Sequence, residues 1–194
     1  MSTNIPVQRL SANANDAYRA HLLALPPDDV RLRFGAPMAA EGIAAYVARI
    51  DFDTDEIFGA FGAAMQLEGA AHLAFGEGLA ELGVSVLPSA RGRGIGHALV
   101  ARAAEHARNR SVPRLFMHCL AENAAMIRIA RNAGMAVVVD TGEADAHVAL
   151  PPMTPASLAS EALAERVALY DYALKSNVEA WRRIGVALAG GKDA

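Results

Sequence analysis

The sequence predicts a layered α/β or mixed α+β fold that carries a helical extension at its C-terminus. Three observations favour this class over an all-helical one. Extended and helical patterns alternate over residues 1–150, glycine-containing turns separate the candidate strands, and a long helical pattern follows a group of prolines. We therefore predict a compact domain over residues 1–152 and a helical extension over residues 153–194.

The elements of this fold follow in order along the chain. Residues 5–10 predict a first strand, and residues 14–25 predict a helix that Pro26 and Pro27 end, since proline cannot continue a helix. The elements predicted after this helix are a helix at 39–50, strands at 56–65, 69–75 and 79–87, a helix at 95–110, a strand at 114–119, a helix at 123–133, and strands at 136–140 and 146–150.

The composition excludes several classes of protein. The chain has 194 residues, of which 53% are hydrophobic and 20% charged, so it can bury an ordinary core without a metal or a disulfide. Its formal net charge is -3 and its basic residues are spread along the sequence, which argues against nucleic acid as a partner. No apolar run is long enough to cross a membrane, and the histidines lack the spacing of metal ligands.

The cysteine content and the start of the chain indicate a cellular compartment. Cys119 is the single cysteine, so it cannot form an internal disulfide. The first residues lack the charged, apolar and small-residue order of a secretory signal. We therefore expect a cytoplasmic protein.

The predicted C-terminal helix, residues 157–189, follows Pro151, Pro152 and Pro155 and has a regular apolar pattern. Residues at alternating spacings of four and three form a heptad-like seam with a single polar position: Leu163, Val167, Tyr170, Leu174, Asn177, Trp181, Ile184 and Leu188. Such a helix either packs along its own domain or pairs with a second copy of the chain. The seam motivates a homodimer hypothesis.

The segment from Pro88 to Gly96 carries the clearest chemical signal. A strand leads through a proline turn into three alternating glycines and then into a helix. Glycines let backbone N–H groups approach an anion, and the helix start adds the positive end of its dipole. Arg91 and Arg93 add groups for charge-assisted contacts. The pattern predicts a site for a pyrophosphate.

Three phosphate-binding patterns compete for this segment. A Walker A loop requires Gly-Lys followed by Ser or Thr, which is missing. A dinucleotide fingerprint requires Gly-x-Gly-x-x-Gly, whereas the spacing here is Gly-x-Gly-x-Gly. A dinucleotide-binding protein is kept as an alternative function. The remaining pattern, (Gln/Arg)-x-x-Gly-x-Gly at residues 91–96, resembles the GCN5-related N-acetyltransferase (GNAT) superfamily.

This resemblance implies a fold and a cofactor. It implies a mixed, mostly antiparallel sheet that splays between its fourth and fifth strands, is flanked by helices and precedes the long C-terminal helix. It also implies that acetyl-CoA is the co-substrate. The residues that would bind it are Val84, Ser85 and Val86 along the pantetheine arm, Arg91, Gly92, Arg93, Gly94, Ile95 and Gly96 at the pyrophosphate, and Asn123 beside the arm.

The finer resemblance is to the acetyltransferase domain of bacterial protein-lysine acetyltransferases. It rests on residues 25–34, the Ala80-Glu81 pair and residues 122–126. Those proteins carry a large acyl-CoA-synthetase-like region that this sequence lacks. The acceptor is therefore expected to be a primary amine, either on a small molecule or on a protein lysine.

Two residues are candidates for the catalytic base. Glu81 stands where lysine acetyltransferases of the superfamily carry a basic glutamate. His118 stands where ribosomal-protein N-terminal acetyltransferases of the superfamily carry one. Many members place a tyrosine acid at the position of Ala130, so the sequence departs from the family there. The expected activity is N-acetyl transfer, and the alternative is a non-catalytic acyl-CoA-binding regulatory module.

Overall fold

The computed structural model describes residues 5–190, with side chains as far as Ile184. Its strands, within that range, are β1 (Gln8–Leu10), β2 (Asp55–Phe61), β3 (Leu67–Gly76), β4 (Leu79–Val86), β5 (Arg114–Leu120), β6 (Ala136–Asp140) and β7 (Glu143–Ala149). Its α-helices are α1 (Asn15–Leu23), α2 (Pro27–Phe34), α3 (Ala40–Ala48), α4 (Ile95–Asn109), α5 (Ala124–Asn132) and α6 (Pro155–Gly190). None of the described helices is long and apolar enough to span a membrane.

The seven strands form one sheet in the order β1-β2-β3-β4-β5-β7-β6. All neighbouring strands are antiparallel except β4 and β5, which run parallel. The predicted class is therefore confirmed, including the separation between the fourth and fifth strands and the long C-terminal helix.

The two faces of the sheet pack against different helices. Side chains alternate between the faces of a strand, so β4 sends Leu82 and Val84 into the core that α4 covers. Ser85 points to the opposite face, where His21 of α1 contacts it. The core on this second face contains Tyr18 and Leu22 of α1. Residues of β4 therefore reach both layers of the domain.

The helix α2 is absent from the sequence prediction. Pro26 and Pro27 were expected only to end the preceding helix, but Pro27 is also the first residue of α2. Proline is favourable there because its missing N–H has no partner in the first turn and its fixed φ suits a helix. Gly35, with φ +78°, ends the helix. This short helix covers one end of the sheet.

Charged groups anchor the first turns of α6 to α4. Arg102, only 6% exposed, binds Glu161 at 2.8 Å and Glu165 at 2.7 Å. Burial would raise the pKa of Glu161, but hydrogen bonds from Arg102, Asn109 and His106 outweigh burial and lower the pKa to about 2. The carboxylate of Glu161 is therefore ionised in the folded protein.

The heptad-like seam of α6 is largely exposed. Its large side chains Leu163, Tyr170 and Trp181 are 64%, 68% and 73% exposed. Leu163 also borders an open groove of about 640 Å³ between α4 and α6, which we call the helix groove; Ala101 and Val167 line it as well. The side chain of Leu188, the last predicted seam position, lies outside the described residues. The seam is an unpartnered apolar surface.

Candidate active site

A wedge opens in the sheet between β4 and β5. Their parallel register contains only the pairs Ala80 with Leu115 and Glu81 with Phe116, after which the strands diverge. Backbone groups on this side of β4, from Leu82 onward, therefore do not pair with β5. A ligand that enters the wedge can use those groups as hydrogen-bond partners.

A glycine loop lies between the end of β4 and the start of α4. Gly92 and Gly94 have φ values of +74° and +89°, a region that side chains disfavour, and Gly94 immediately precedes Ile95, the first residue of α4. The first N–H groups of a helix lack partners within the helix and carry its positive dipole end. The loop therefore presents a backbone site for an anion.

One groove connects the wedge with this loop, and we call it the loop groove. Its volume is about 460 Å³. It is lined by Leu25, Asp29, Leu32 and Arg33, by Val84, Ser85 and Val86, by Ala90, Arg91, Gly92, Gly94, Ile95, Gly96 and His97, and by Asn123, Ala125, Met126, Arg128 and Ile129. The structure thus brings together all the residues predicted to bind the cofactor except Arg93.

The two arginines of the loop already have carboxylate partners. Arg91 contacts Asp29 of α2 at 2.5 Å, and Arg93 contacts Glu68 of β3 at 2.8 Å. Both arginine side chains are more than half exposed, so each can share its charge with a bound phosphate. Arg128 of α5 also lines the groove, and no motif in the sequence indicates it.

Asn123 forms the N-terminal cap of α5. Its Oδ1 accepts a hydrogen bond from the backbone N–H of Met126 at 3.1 Å, which explains why the helix begins here. The Nδ2 group is then the part of this side chain that can donate to a ligand in the groove. This geometry is compatible with the predicted contact to the cofactor arm, which stays a prediction.

The two candidate bases have different surroundings. Glu81 is exposed at the point where β4 and β5 separate. His118 is bound to β7, because its Nδ1–H donates to Asp145 at 2.8 Å while its Nε2 lies 3.9 Å from Glu143. Strand alternation puts Glu81 and His118 on the same face as Ser85. Neither residue is among those that line the loop groove.

The position of the family's tyrosine acid lies in the core. Ala130 is 2% exposed and packs with the apolar cluster under α4. Ser85 is the hydroxyl-bearing residue among those lining the groove. Across the described part of the chain, no three metal-ligating side chains converge.

A buried hydrogen-bonded pair holds Ser85 in place. His21 Nδ1–H donates to the carbonyl of Leu67 at 2.7 Å, so its Nε2 accepts from the Ser85 hydroxyl at 2.9 Å. Burial lowers the pKa of His21 to about 4, although the bond to Leu67 opposes the shift. The imidazole is therefore neutral near pH 7. Sequence reasoning missed this pair because 64 positions separate its members.

This neutral histidine makes stability depend on pH. Below about pH 6.5 the unfolded chain binds a proton at His21 that the folded protein does not bind. The free energy of unfolding therefore decreases as the pH is lowered from about 6.5 to about 4. The loss attributable to His21 is about 3 kcal/mol. We expect His21→Gln to have a shallower decline in urea-unfolding free energy over this range, since glutamine can donate to Leu67 and accept from Ser85 without titrating. Equal slopes for the two proteins would contradict the assignment.

The splayed sheet beside a glycine loop is the architecture expected from the sequence resemblance. A model of the Acetyltransferase (GNAT) family matches residues 12–135, more than half of the sequence. The chain therefore belongs to this family. Membership supports acyl-CoA-dependent N-acetyltransferase activity in general.

Solved structures share the fold at low sequence identity. The GNAT domain of S. lividans PAT has a TM-score of 0.64 at 20% identity, covering 74% of this chain and 89% of that one. Ribosomal-protein-alanine N-acetyltransferase from Brucella melitensis has a TM-score of 0.58 at 23% identity, covering 74% and 99%. Spermidine N-acetyltransferase from Vibrio cholerae, in complex with CoA and spermine, has a TM-score of 0.60 at 15% identity, covering 75% and 96%. No curated protein matches the sequence.

Proposed function

We propose that the protein is an acetyl-CoA-dependent N-acetyltransferase that acetylates a primary amine by direct attack in a ternary complex. The observation that carries this proposal is the continuous loop groove, which joins an anion-binding helix start to the wedge between β4 and β5. Acetyl-CoA supplies an acyl group as a thioester. The groove runs from the glycine loop to Val84 and Ser85 of β4, which suits a ligand with a phosphate end and a reactive end.

The residues of the groove have separate roles in this proposal. The N–H groups from Gly92 to Gly96 and the charge of Arg91 hold the pyrophosphate. The backbone of residues 84–86 aligns the pantetheine arm and polarises the thioester carbonyl. Positioning two reactants in this way is the main contribution to rate. The amine nitrogen bonds to the acyl carbon, the C–S bond breaks, and CoA leaves as a thiolate.

The acceptor amine must lose a proton before it attacks. A lysine-like amine has a pKa near 10.4, so forming the neutral amine at pH 7 costs about 4 to 5 kcal/mol. We assign Glu81 as the base that accepts this proton, with His118 as the second candidate. Ala130 stands where many family members carry a tyrosine that protonates the leaving group. A thiol with a pKa near 8.5 can leave as a thiolate without full protonation, so the reaction does not require this tyrosine.

A second candidate function follows from Ala130. Its buried methyl group stands where many family members carry a catalytic acid, and this is the observation behind the alternative, a non-catalytic acyl-CoA-binding regulatory module. Thiol release from acetyl-CoA, measured with pooled amines and lysine peptides, separates the two functions. Amine-dependent release supports the transferase, whereas tight binding without release with any acceptor supports the regulatory module.

We also propose that the protein is a homodimer whose copies pair through α6. The seam is apolar, follows heptad spacing and contains the single polar residue Asn177, a pattern typical of helices that pair in register. Among the described residues, the last hydrogen bond from α6 to the domain joins Lys175 to the carbonyl of Phe61. Residues 176–190 continue as helix beyond this hydrogen bond. A short helix without tertiary contacts is only marginally stable in water, so a partner that packs against it would stabilise it. A second α6 covers the seam.

Two leucines of α6 provide a matched test of the dimer. Leu174, on the seam, and Leu169, off the seam, are 49% and 48% exposed. We expect sedimentation to show a dimer for the native protein and for Leu169→Glu, and a monomer for Leu174→Glu. A native protein that stays monomeric at high concentration would rule out the proposed pairing.

A further inference from the structure

Arg33 brings a positive charge to the loop groove beside the middle of β4. It belongs to α2, lines the groove and lies over Gly83 of β4. A Cβ atom at Gly83 would lie only 2.2 Å from Arg33 Cζ, so the missing side chain is what makes room for the guanidinium. Gly83 stands between Glu81 and Ser85 on the same face of the strand. The cation is therefore at the reactive end of the groove.

The neighbours of Arg33 are neutral. Its Nη2 donates to the hydroxyl of Tyr46 at 3.1 Å, and its Cζ lies 4.9 Å from the ring centre of Phe34. Its Nε is enclosed and has no hydrogen-bond partner. Over residues 5–184, no carboxylate lies within 4.0 Å of its guanidinium. The half-buried guanidinium remains charged, and no described carboxylate pairs with it directly.

Arg102 offers a comparison within the same protein, because it is a buried arginine with direct carboxylate partners. Arg102 also lies against an aromatic ring, that of Phe58, yet it has two carboxylate partners, Glu161 and Glu165. Enclosing a charge without a partner is unfavourable, and aromatic rings compensate only part of that cost. Arg33 therefore has unused capacity for an anion.

Supporting contacts hold Arg33 in a fixed orientation. The Tyr46 hydroxyl that accepts from Arg33 lies 2.5 Å from Nδ1 of His72, and His72 Nε2 lies 3.3 Å from Asp55. Tyr18, 1% exposed, packs into the same cluster, and burial raises the pKa of its hydroxyl so that it stays neutral. A fixed guanidinium is well suited to the planar, two-oxygen geometry of a carboxylate.

We propose that Arg33 binds a carboxylate group of a reacting partner, an inference that rests on the proposed transferase function. The anion is distinct from the pyrophosphate, because Gly83 precedes the end of β4 by about 10 Å of extended strand. Two sources supply the same chemistry at this place: an acceptor amine that also carries a carboxylate, such as an amino acid, or an acyl-CoA whose acyl chain ends in a carboxylate, such as succinyl-CoA. The same charge disfavours polycationic acceptors.

Calorimetry tests the two sources without requiring turnover. In one arm, CoA-bound protein is titrated with amino acids and with the corresponding amino-acid amides, which lack the carboxylate. In the other arm, the free protein is titrated with succinyl-CoA and with acetyl-CoA. We expect one arm to show a preference of about tenfold to a hundredfold for the carboxylate ligand, the range for a charged hydrogen bond.

Variants connect that preference with Arg33. Arg33→Met is expected to abolish it while leaving the affinity for CoA unchanged, and Arg33→Lys, which keeps the charge, is expected to retain part of it. Arg31→Met is the matched control, because Arg31 lies on the same helix but pairs with Glu122 outside the groove. No preference in either arm, or a preference that survives in Arg33→Met, would overturn the inference. If the native protein does not bind CoA at all, the proposed transferase function is refuted instead.

Discussion

Replacing Gly94 with valine is expected to lower the affinity for acetyl-CoA about a hundredfold or more. Gly94 has φ +89°, where a β-branched residue is strongly strained, so the loop must change its conformation. The reason is not crowding, since a Cβ atom at Gly94 would meet only Ile5 Cδ1 at 3.5 Å. The N–H groups that converge on the pyrophosphate lose their alignment, and each charge-assisted hydrogen bond is worth about 1.5–3 kcal/mol. Calorimetric titration measures the change.

Gly142 supplies the control for this substitution. It has φ +93° in the turn between β6 and β7 and is not among the residues that line the loop groove. Gly142→Val therefore imposes similar backbone strain away from the loop. We expect both variants to lose stability by similar amounts, and only Gly94→Val to lose affinity. An unchanged affinity in Gly94→Val would refute the assignment of the pyrophosphate site.

Replacing Glu81 with glutamine is expected to lower kcat about a hundredfold at pH 7, the lower end of the range for a general base. Glutamine keeps the shape of the side chain but cannot accept the proton of the amine. The affinity for acetyl-CoA should not change. The loss should shrink as pH rises toward the pKa of the acceptor amine, because a larger share of the amine is then already neutral. Steady-state kinetics against pH measure both effects.

His118→Gln separates the two candidate bases. We assign Glu81 because it is exposed where the wedge opens, whereas His118 donates a hydrogen bond to Asp145 of β7. We therefore expect His118→Gln to retain most of the activity. Full activity in Glu81→Gln together with a large loss in His118→Gln would reverse the assignment.

Local patterns were sufficient to predict most of the fold. The alternation of apolar residues gives the strands, and glycines mark the turn before α4, because these signals act over a few neighbouring residues. The prediction failed at Pro27, where the same residue type that ends a helix also begins one. The heptad spacing of apolar residues predicted the seam of α6. Its exposure was not predictable, because it depends on where Arg102 anchors the helix to α4.

The chemistry of the loop groove was only partly predictable. The glycine loop is contiguous in sequence, so its pattern was recognisable. The Arg33 cluster was not, because it draws Tyr18, Tyr46 and His72 from separate elements. Nothing in the sequence around any one of them indicates that they meet. Such clusters are products of tertiary packing.

A crystal structure of the protein with acetyl-CoA tests the central claim most directly. We predict pyrophosphate oxygens within hydrogen-bonding distance of the N–H groups from Gly92 to Gly96, and the pantetheine arm beside the backbone of residues 84–86. Acetyl-CoA bound instead in the helix groove, or pyrophosphate oxygens that do not contact the glycine loop, would contradict it.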